Sequence, residues 1–168
     1  MAENLETKSW TDAWFLAAAA RRQKRGRGAA LADILAEGDY MNHAIFTPDE
    51  IERAVRRLVA GGLLVVEDSD SFRVTSAGQV LVRTSTRPTR SWLDAIARLA
   101  EAVDAKVPSN VEPGVWKLDL PHYRDSVERN RRESAQELRR FHQMPRVVQN
   151  ALALFWLGVV SLWRKFQR

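Results

Sequence analysis

Apolar positions recur at helical spacing along the first half of the chain. Thr11 precedes one such stretch, TDAWFLAAAARR, whose apolar face is formed by Ala13, Phe15, Leu16, Ala19 and Ala20. Residues three and four apart share one side of a helix, so we expect an amphipathic helix that begins at Thr11. A second stretch, AALADILAEG, places Leu31, Ile34 and Leu35 at the same spacing and predicts a helix that ends or loosens at Gly38.

The third helical stretch has the clearest start signal. Thr47 is followed by Pro48, and Glu50 stands three residues after it. This is a capping box with proline at the first helical position. The apolar stripe that follows is formed by Ile51, Val55, Leu58 and Val59. Gly61 and Gly62 then predict the end of this helix, because a glycine readily adopts the left-handed conformation found there.

Residues 63–74, LLVVEDSDSFRV, carry β-branched and aromatic residues on both sides of an acidic turn. This pattern predicts a β-hairpin. Two helices, a capped helix and a hairpin follow one another in the order of a winged helix-turn-helix domain. The predicted class is therefore mainly α with a small β-hairpin.

The stretch IERAVRRLVAGGLLVVEDSDSFRVTSAGQVLV resembles the recognition helix and wing of the PadR-like and MarR-like bacterial regulators. In those families a RLxxxGLL helix end leads into a wing that closes on a TxxG turn. The matching residues here are Arg57-Leu58, Leu63-Leu64, Thr75 and Gly78. The resemblance implies a small bacterial transcription regulator that binds DNA as a dimer.

The second half of the chain predicts a helical extension. Ser91 precedes an apolar stripe formed by Leu93, Ile96, Leu99, Ala100 and Val103. A proline-rich connector then leads to a polar, arginine-rich helix between Tyr123 and Met144. We expect a winged helix-turn-helix domain at residues 8–84 and an extension at residues 85–168, with a linker at about 104–122.

An apolar helix is predicted at residues 146–166. Its central 17 residues, Val147–Trp163, carry no charge. As a helix they span about 25 Å, near the lower limit for crossing a bilayer. Burial against other helices of the same chain, a homodimer interface and a peripheral membrane contact are all open for this segment. The candidate contact residues are Leu152, Phe155, Trp156, Val159 and Trp163.

The composition of the 168 residues offers little chemistry. There is no cysteine, and the three histidines lack ligand spacing. None of the common nucleotide-binding, hydrolase or metalloprotease motifs is present. We therefore expect a protein without enzymatic activity, cofactor or metal. The first ten residues hold no apolar signal segment, so a cytoplasmic location is expected, at the membrane surface if residues 146–166 contact lipid.

Positive charge suggests nucleic acid as one partner. Residues 86–168 carry 15 Lys and Arg against 9 Asp and Glu, whereas residues 1–85 carry 11 against 12. Within the first half, the candidate DNA contacts are Arg21, Arg22, Lys24, Arg25, Arg27, Arg53, Arg56, Arg57 and Arg73.

Negative charge at the same places argues for another partner. Asp49 and Glu50 begin the predicted recognition helix, and the wing tip holds Glu67, Asp68 and Asp70. Carboxylates at these points repel phosphate. Two functions therefore stay open: a dimeric DNA-binding regulator, and a protein-interaction adaptor attached to a membrane or a larger assembly by residues 146–166.

Deletion of residues 146–168 should change the association of the protein and leave the fold of residues 8–84 intact. So apolar a segment cannot stay uncovered on a soluble monomer without promoting aggregation. Light scattering detects a loss of dimer, and liposome flotation detects a loss of membrane binding. Full-length protein that is already monomeric and indifferent to liposomes would contradict both roles of this segment.

Overall fold

The computed structural model describes residues 3–24, 26–42, 44–68, 70–87, 91–108, 111 and 116–143. In this part of the chain the helices are α1 (Glu3–Arg22), α2 (Leu31–Asn42), α3 (Pro48–Ala60), α4 (Ser76–Ser85), α5 (Trp92–Asp104) and α6 (Leu120–Gln143). The strands are β1 (Ala29–Ala30), β2 (Leu64–Asp68) and β3 (Ser71–Val74). The predicted class, mainly helical with a small antiparallel sheet, is confirmed.

The chain divides into two compact units, Met1–Glu128 and Arg129–Arg168. Of the second unit the structure describes residues 129–143, which are helical and carry exposed arginines at Arg129, Arg131, Arg132, Arg139 and Arg140. All contacts discussed below lie in the first unit. The predicted apolar helix at residues 146–166 lies outside the described residues.

Helix α1 is enclosed within the first unit. Every residue from Thr11 to Ala19 is buried, and α2, α3 and α5 pack against this helix. The helix begins at Glu3, so the expected start at Thr11 is wrong, and Thr11 and Asp12 lie inside it. Packing against three neighbouring helices stabilises this region as helix and overrides the weaker local signal of a capping threonine.

Helix α3 begins and ends as its sequence predicts. The Thr47 N–H donates to Glu50 Oε2 at 2.8 Å, and the Glu50 N–H donates to Thr47 Oγ1 at 3.4 Å. At the other end, Gly62 has a φ of +66°, and its N–H donates to the Val59 carbonyl. The Leu63 N–H donates to the Leu58 carbonyl, which completes a Schellman ending.

The sheet has one strand more than the predicted hairpin. Its order is β1-β3-β2, with Ala29 paired to Phe72. Two alanines directly before a helix carry no strand signal, so β1 could not be found from propensity. Gly28, directly before β1, lies so close to β3 that a Cβ at this position would be 2.8 Å from the Phe72 carbonyl oxygen. The sheet leaves β2 as an edge strand.

Helix α5 belongs to the same core as α1. Ile96, Leu99 and Val103 are buried, and α5 packs against α1. The predicted division between residues 84 and 85 therefore falls inside the first unit. The predicted linker at about 104–122 overlaps the start of α6 at Leu120.

Three aromatic rings fix the strands and helices around α3. The Phe15 ring lies edge-on to Phe46 and to Phe72, with centroids 5.5 Å and 5.7 Å apart. The hydroxyl of Tyr123 on α6 donates to the Phe46 carbonyl at 2.9 Å. The sheet and the N-terminal end of α6 thus share the core that supports α3.

Candidate functional site

Arg57, a predicted DNA contact on α3, is used inside the molecule. Its side chain is 15% exposed. Its Nε donates to Asp12 Oδ2 of α1 at 2.5 Å, and its Nη2 donates to Asp104 Oδ1 of α5 at 2.8 Å. The guanidinium therefore connects three helices, and its positive charge is already paired with two carboxylates.

The arginines at the end of α1 also have a carboxylate partner. Arg21 Nε and Arg22 Nε both contact the carboxylate of Glu37 on α2, the second at 2.7 Å. The Glu37 side chain is almost completely buried, whereas both arginine side chains are about half exposed. Glu37 offsets one of the two positive charges and holds both guanidinium groups against α2.

Arg73 on β3 is held in the same way. Its Nε lies 3.1 Å from Glu67 Oε1 on the neighbouring strand. The other oxygen of Glu67 accepts from the Gly28 N–H at 3.0 Å. Arg73 and Glu67 thus form a cross-strand pair whose carboxylate also contacts the start of β1, and little net positive charge remains on this face of the β2–β3 hairpin.

The remaining candidates differ in their surroundings. Arg53 Nε is buried without a hydrogen-bond partner among the described residues. Arg56 Nε donates to the Glu52 carbonyl at 3.2 Å. Lys24 and Arg27 are exposed on the turn between α1 and β1. Arg25 lies outside the described residues. Among the described candidates, Lys24, Arg27, Arg53 and Arg56 form no ion pair with a described carboxylate, although the charge of Arg53 lowers the pKa of Asp12.

Negative charge lies at the start of α3 and at the turn between β2 and β3. Asp49 is exposed in the first turn of α3, and Glu50 belongs to its capping box. Asp68 is exposed at the end of β2. Asp70 Oδ2 lies 3.0 Å from His122 Nε2 of α6. A phosphate approaching α3 from its N-terminal end would meet Asp49 and Glu50.

A groove of about 560 Å³ separates α3 from the edge strand β2. Val55, Arg56, Val59 and Ala60 line it on the α3 side. Leu64, Val65 and Val66 line it on the β2 side, and Val111 and Trp116 complete the wall. Val59 and Val65 are 43% and 40% exposed. Val59, predicted as part of the apolar stripe of α3, therefore lies on the groove surface and not in the core.

The candidate contacts at Leu152, Phe155, Trp156, Val159 and Trp163 lie outside the described residues. Among the helices that the structure describes, none has the length and hydropathy to cross a bilayer. The described residues also contain no group of three metal-binding side chains.

Sequence reasoning missed the carboxylates that hold the arginines. Arg57 and Asp12 are 45 residues apart, and no local pattern connects them. For Glu37 a signal was present, because Glu37 continues the helical spacing of the core residues Ile34 and Leu35. A charge at such a position predicts a buried partner of opposite sign.

No protein-family model, curated protein or solved structure matches this chain. The functional inference therefore rests on the contacts described above.

The stability of the protein should depend on the protonation of Asp12. Burial raises the pKa of the Asp12 carboxyl above its ordinary value of 3.8, and the hydrogen bond and charge of Arg57 lower that pKa by less. Arg53 also lowers the pKa, and Asp104 raises it. A group whose pKa is higher in the folded state loses stabilising free energy as the pH rises through that folded pKa.

We therefore expect the wild-type protein to lose stability relative to Asp12→Asn as the pH rises above the ordinary carboxyl pKa of 3.8 and through the raised pKa of the folded state. Urea unfolding of both proteins at several pH values measures the difference in unfolding free energy. Asp94→Asn, an exposed change at the start of α5, serves as the control. A wild-type protein that instead gains stability relative to Asp12→Asn over this range would show that Arg57 lowers the pKa more than burial raises it.

Proposed function

We propose that this protein is a non-catalytic winged-helix module that binds a protein partner and does not read DNA. The order of helices, capped helix α3 and hairpin β2–β3 supports the winged-helix assignment. The resemblance of residues 51–82 to the wing region of PadR-like and MarR-like regulators supports it as well.

The inward position of Arg57 supports the second part of the proposal, that the protein does not read DNA. Duplex binding depends largely on lysines and arginines that neutralise phosphate. On α3, Arg57 is paired with Asp12 and Asp104, and Arg53 has a buried Nε. Asp49 adds an exposed negative charge where a recognition helix would meet the duplex. The face of α3 is therefore poorly suited to a polyanion.

An apolar surface beside α3 favours a protein partner. Val59 and Val65 are large exposed side chains on either side of the groove between α3 and β2. Apolar patches of this kind on a soluble domain commonly mark contact surfaces for other proteins. The groove carries a single cation, Arg56, among walls that are otherwise mostly apolar, so this part of α3 suits an apolar partner better than a polyanion.

DNA binding is the second candidate, and one observation favours it. Lys24 and Arg27 are exposed on the turn that precedes β1, without a carboxylate partner among the described residues. A regulator that used them would contact the DNA backbone through this turn. Dimerisation or membrane contact through residues 146–166 is compatible with both candidate functions, and it is proposed from the sequence alone.

Duplex titrations distinguish the two candidates. We expect the wild-type protein to show little or no affinity for a fluorescent duplex at about 50 mM salt. The double substitution Lys24→Glu and Arg27→Glu should leave any such affinity unchanged. Asp49→Asn is the complementary variant, because it removes a phosphate-repelling charge at the start of α3. It should strengthen duplex binding only if α3 contacts DNA.

The opposite pattern would favour the regulator. It consists of a loss of affinity in the double variant, a gain in Asp49→Asn, and a steep decrease of log K with log salt in the wild type. Arg139→Glu on α6 shows how much binding the basic C-terminal half contributes by charge alone.

A further inference from the structure

We propose that the groove between α3 and β2 binds an extended apolar segment of a partner protein, added as a strand to β2, with one carboxylate paired to Arg56. This inference rests on the proposed function, since it names how the partner is recognised. Three features of the groove lead to it: the open edge of β2, the apolar walls and the single cation.

Among the described residues, no strand pairs with the outer side of β2. The Thr75 N–H donates to the Leu63 carbonyl at 3.1 Å, and Val65 is paired with Arg73 two residues further on. In an antiparallel pair, hydrogen-bonded and non-hydrogen-bonded positions alternate. The main-chain groups of Leu64 and Val66 therefore point away from β3, towards the outer edge of the sheet. An outer edge of this kind can pair with an added strand.

The size and chemistry of the groove favour a short segment. Eleven residues line it, fewer than the 20–30 residues that each side of a standard protein interface contributes. Apart from Arg56 and Thr75, these residues are glycine or apolar. The Thr75 hydroxyl is already engaged, because it donates to the Gly62 carbonyl and accepts from the Gly78 N–H. Apolar side chains of an added strand would thus face Val59 and Ala60 across the groove.

Arg56 supplies the charge that the segment must match. It is the charged residue among those that line the groove, and its side chain is half-buried. Its Nε is held by the Glu52 carbonyl, and no carboxylate pairs with it among the described residues. Arg57, the next residue on α3, has a carboxylate partner, and Arg73 on β3 has one as well. A carboxylate on the bound segment would complete the pattern. The uncharged segment Val147–Trp163 of this chain contains no carboxylate and therefore does not meet this requirement.

Selection of a random heptapeptide library on the immobilised full-length protein supplies the probe. The enriched peptides should alternate apolar with other residues and contain one Asp or Glu. The dissociation constant of the tightest peptide is then measured by fluorescence polarisation. Methylation of the peptide nitrogens at every second residue should abolish binding in one phase of the alternation and preserve it in the other, because only one set of N–H groups would face β2.

Variants of the protein locate the binding site. Arg56→Gln should weaken binding about tenfold or more, the effect expected for the loss of a hydrogen bond between charged groups. Its control is Arg83→Gln, a change at an exposed arginine of α4 outside the groove. Val59→Glu should abolish binding, and Val80→Glu should not, although Val80 is similarly exposed at 48%. Thermal melting confirms that each variant is folded.

Two results would overturn the inference. Peptides that bind Val59→Glu and Arg56→Gln as tightly as the wild type would place the partner surface elsewhere and leave the proposed function standing. A library that yields no enriched peptide would reject the groove as a peptide site. Duplex binding that depends on Lys24 and Arg27 would reject the proposed function itself, so the two failures are distinguishable.

Discussion

The guanidinium of Arg57 lies between two carboxylates and joins three helices of the first unit. Asp12 is fully buried on α1, so its charge has lost contact with water and depends on the positive charge beside it. Removal of one partner of such a pair leaves an uncompensated charge in the interior, at a cost of about 3–5 kcal/mol. The position of α3 against α1 and α5 is therefore tied to this contact, and so is the orientation of the face that α3 presents outward.

The same contact shapes what the protein can bind. Arg57 is not available to a phosphate, because its guanidinium is already paired with Asp12 and Asp104 inside the first unit. Arg73 on β3 is likewise paired with a carboxylate, and so are Arg21 and Arg22 at the end of α1. What remains outward on α3 is a negative start at Asp49 and, further along the helix, an apolar groove with the half-buried Arg56 in its wall. This combination disfavours a polyanion and suits a short protein segment.

The local structure could be predicted from sequence wherever a short pattern determines it. The capping box of Thr47 and Glu50 and the positive φ of Gly62 depend on residues within a few positions of one another. The strand at Ala29 and the start of α1 depend on contacts across the fold, and the sequence near them carries no sufficient signal. For the candidate site, the residues were identified but their partners were not. The sequence of α3 identifies Arg57 as a cation, whereas only the fold brings Asp12 to within 2.5 Å of it.

A double-mutant cycle between Arg57 and Asp12 tests most directly whether this arginine is a structural residue. Arg57→Met should lower the unfolding free energy by about 3–5 kcal/mol in the wild-type background. In the Asp12→Asn background the same substitution should cost much less, because the charge that Arg57 compensates is absent. Urea unfolding of the four proteins at neutral pH measures both differences. Equal costs in the two backgrounds, together with a loss of duplex affinity in Arg57→Met, would contradict the account and return Arg57 to a DNA-binding role.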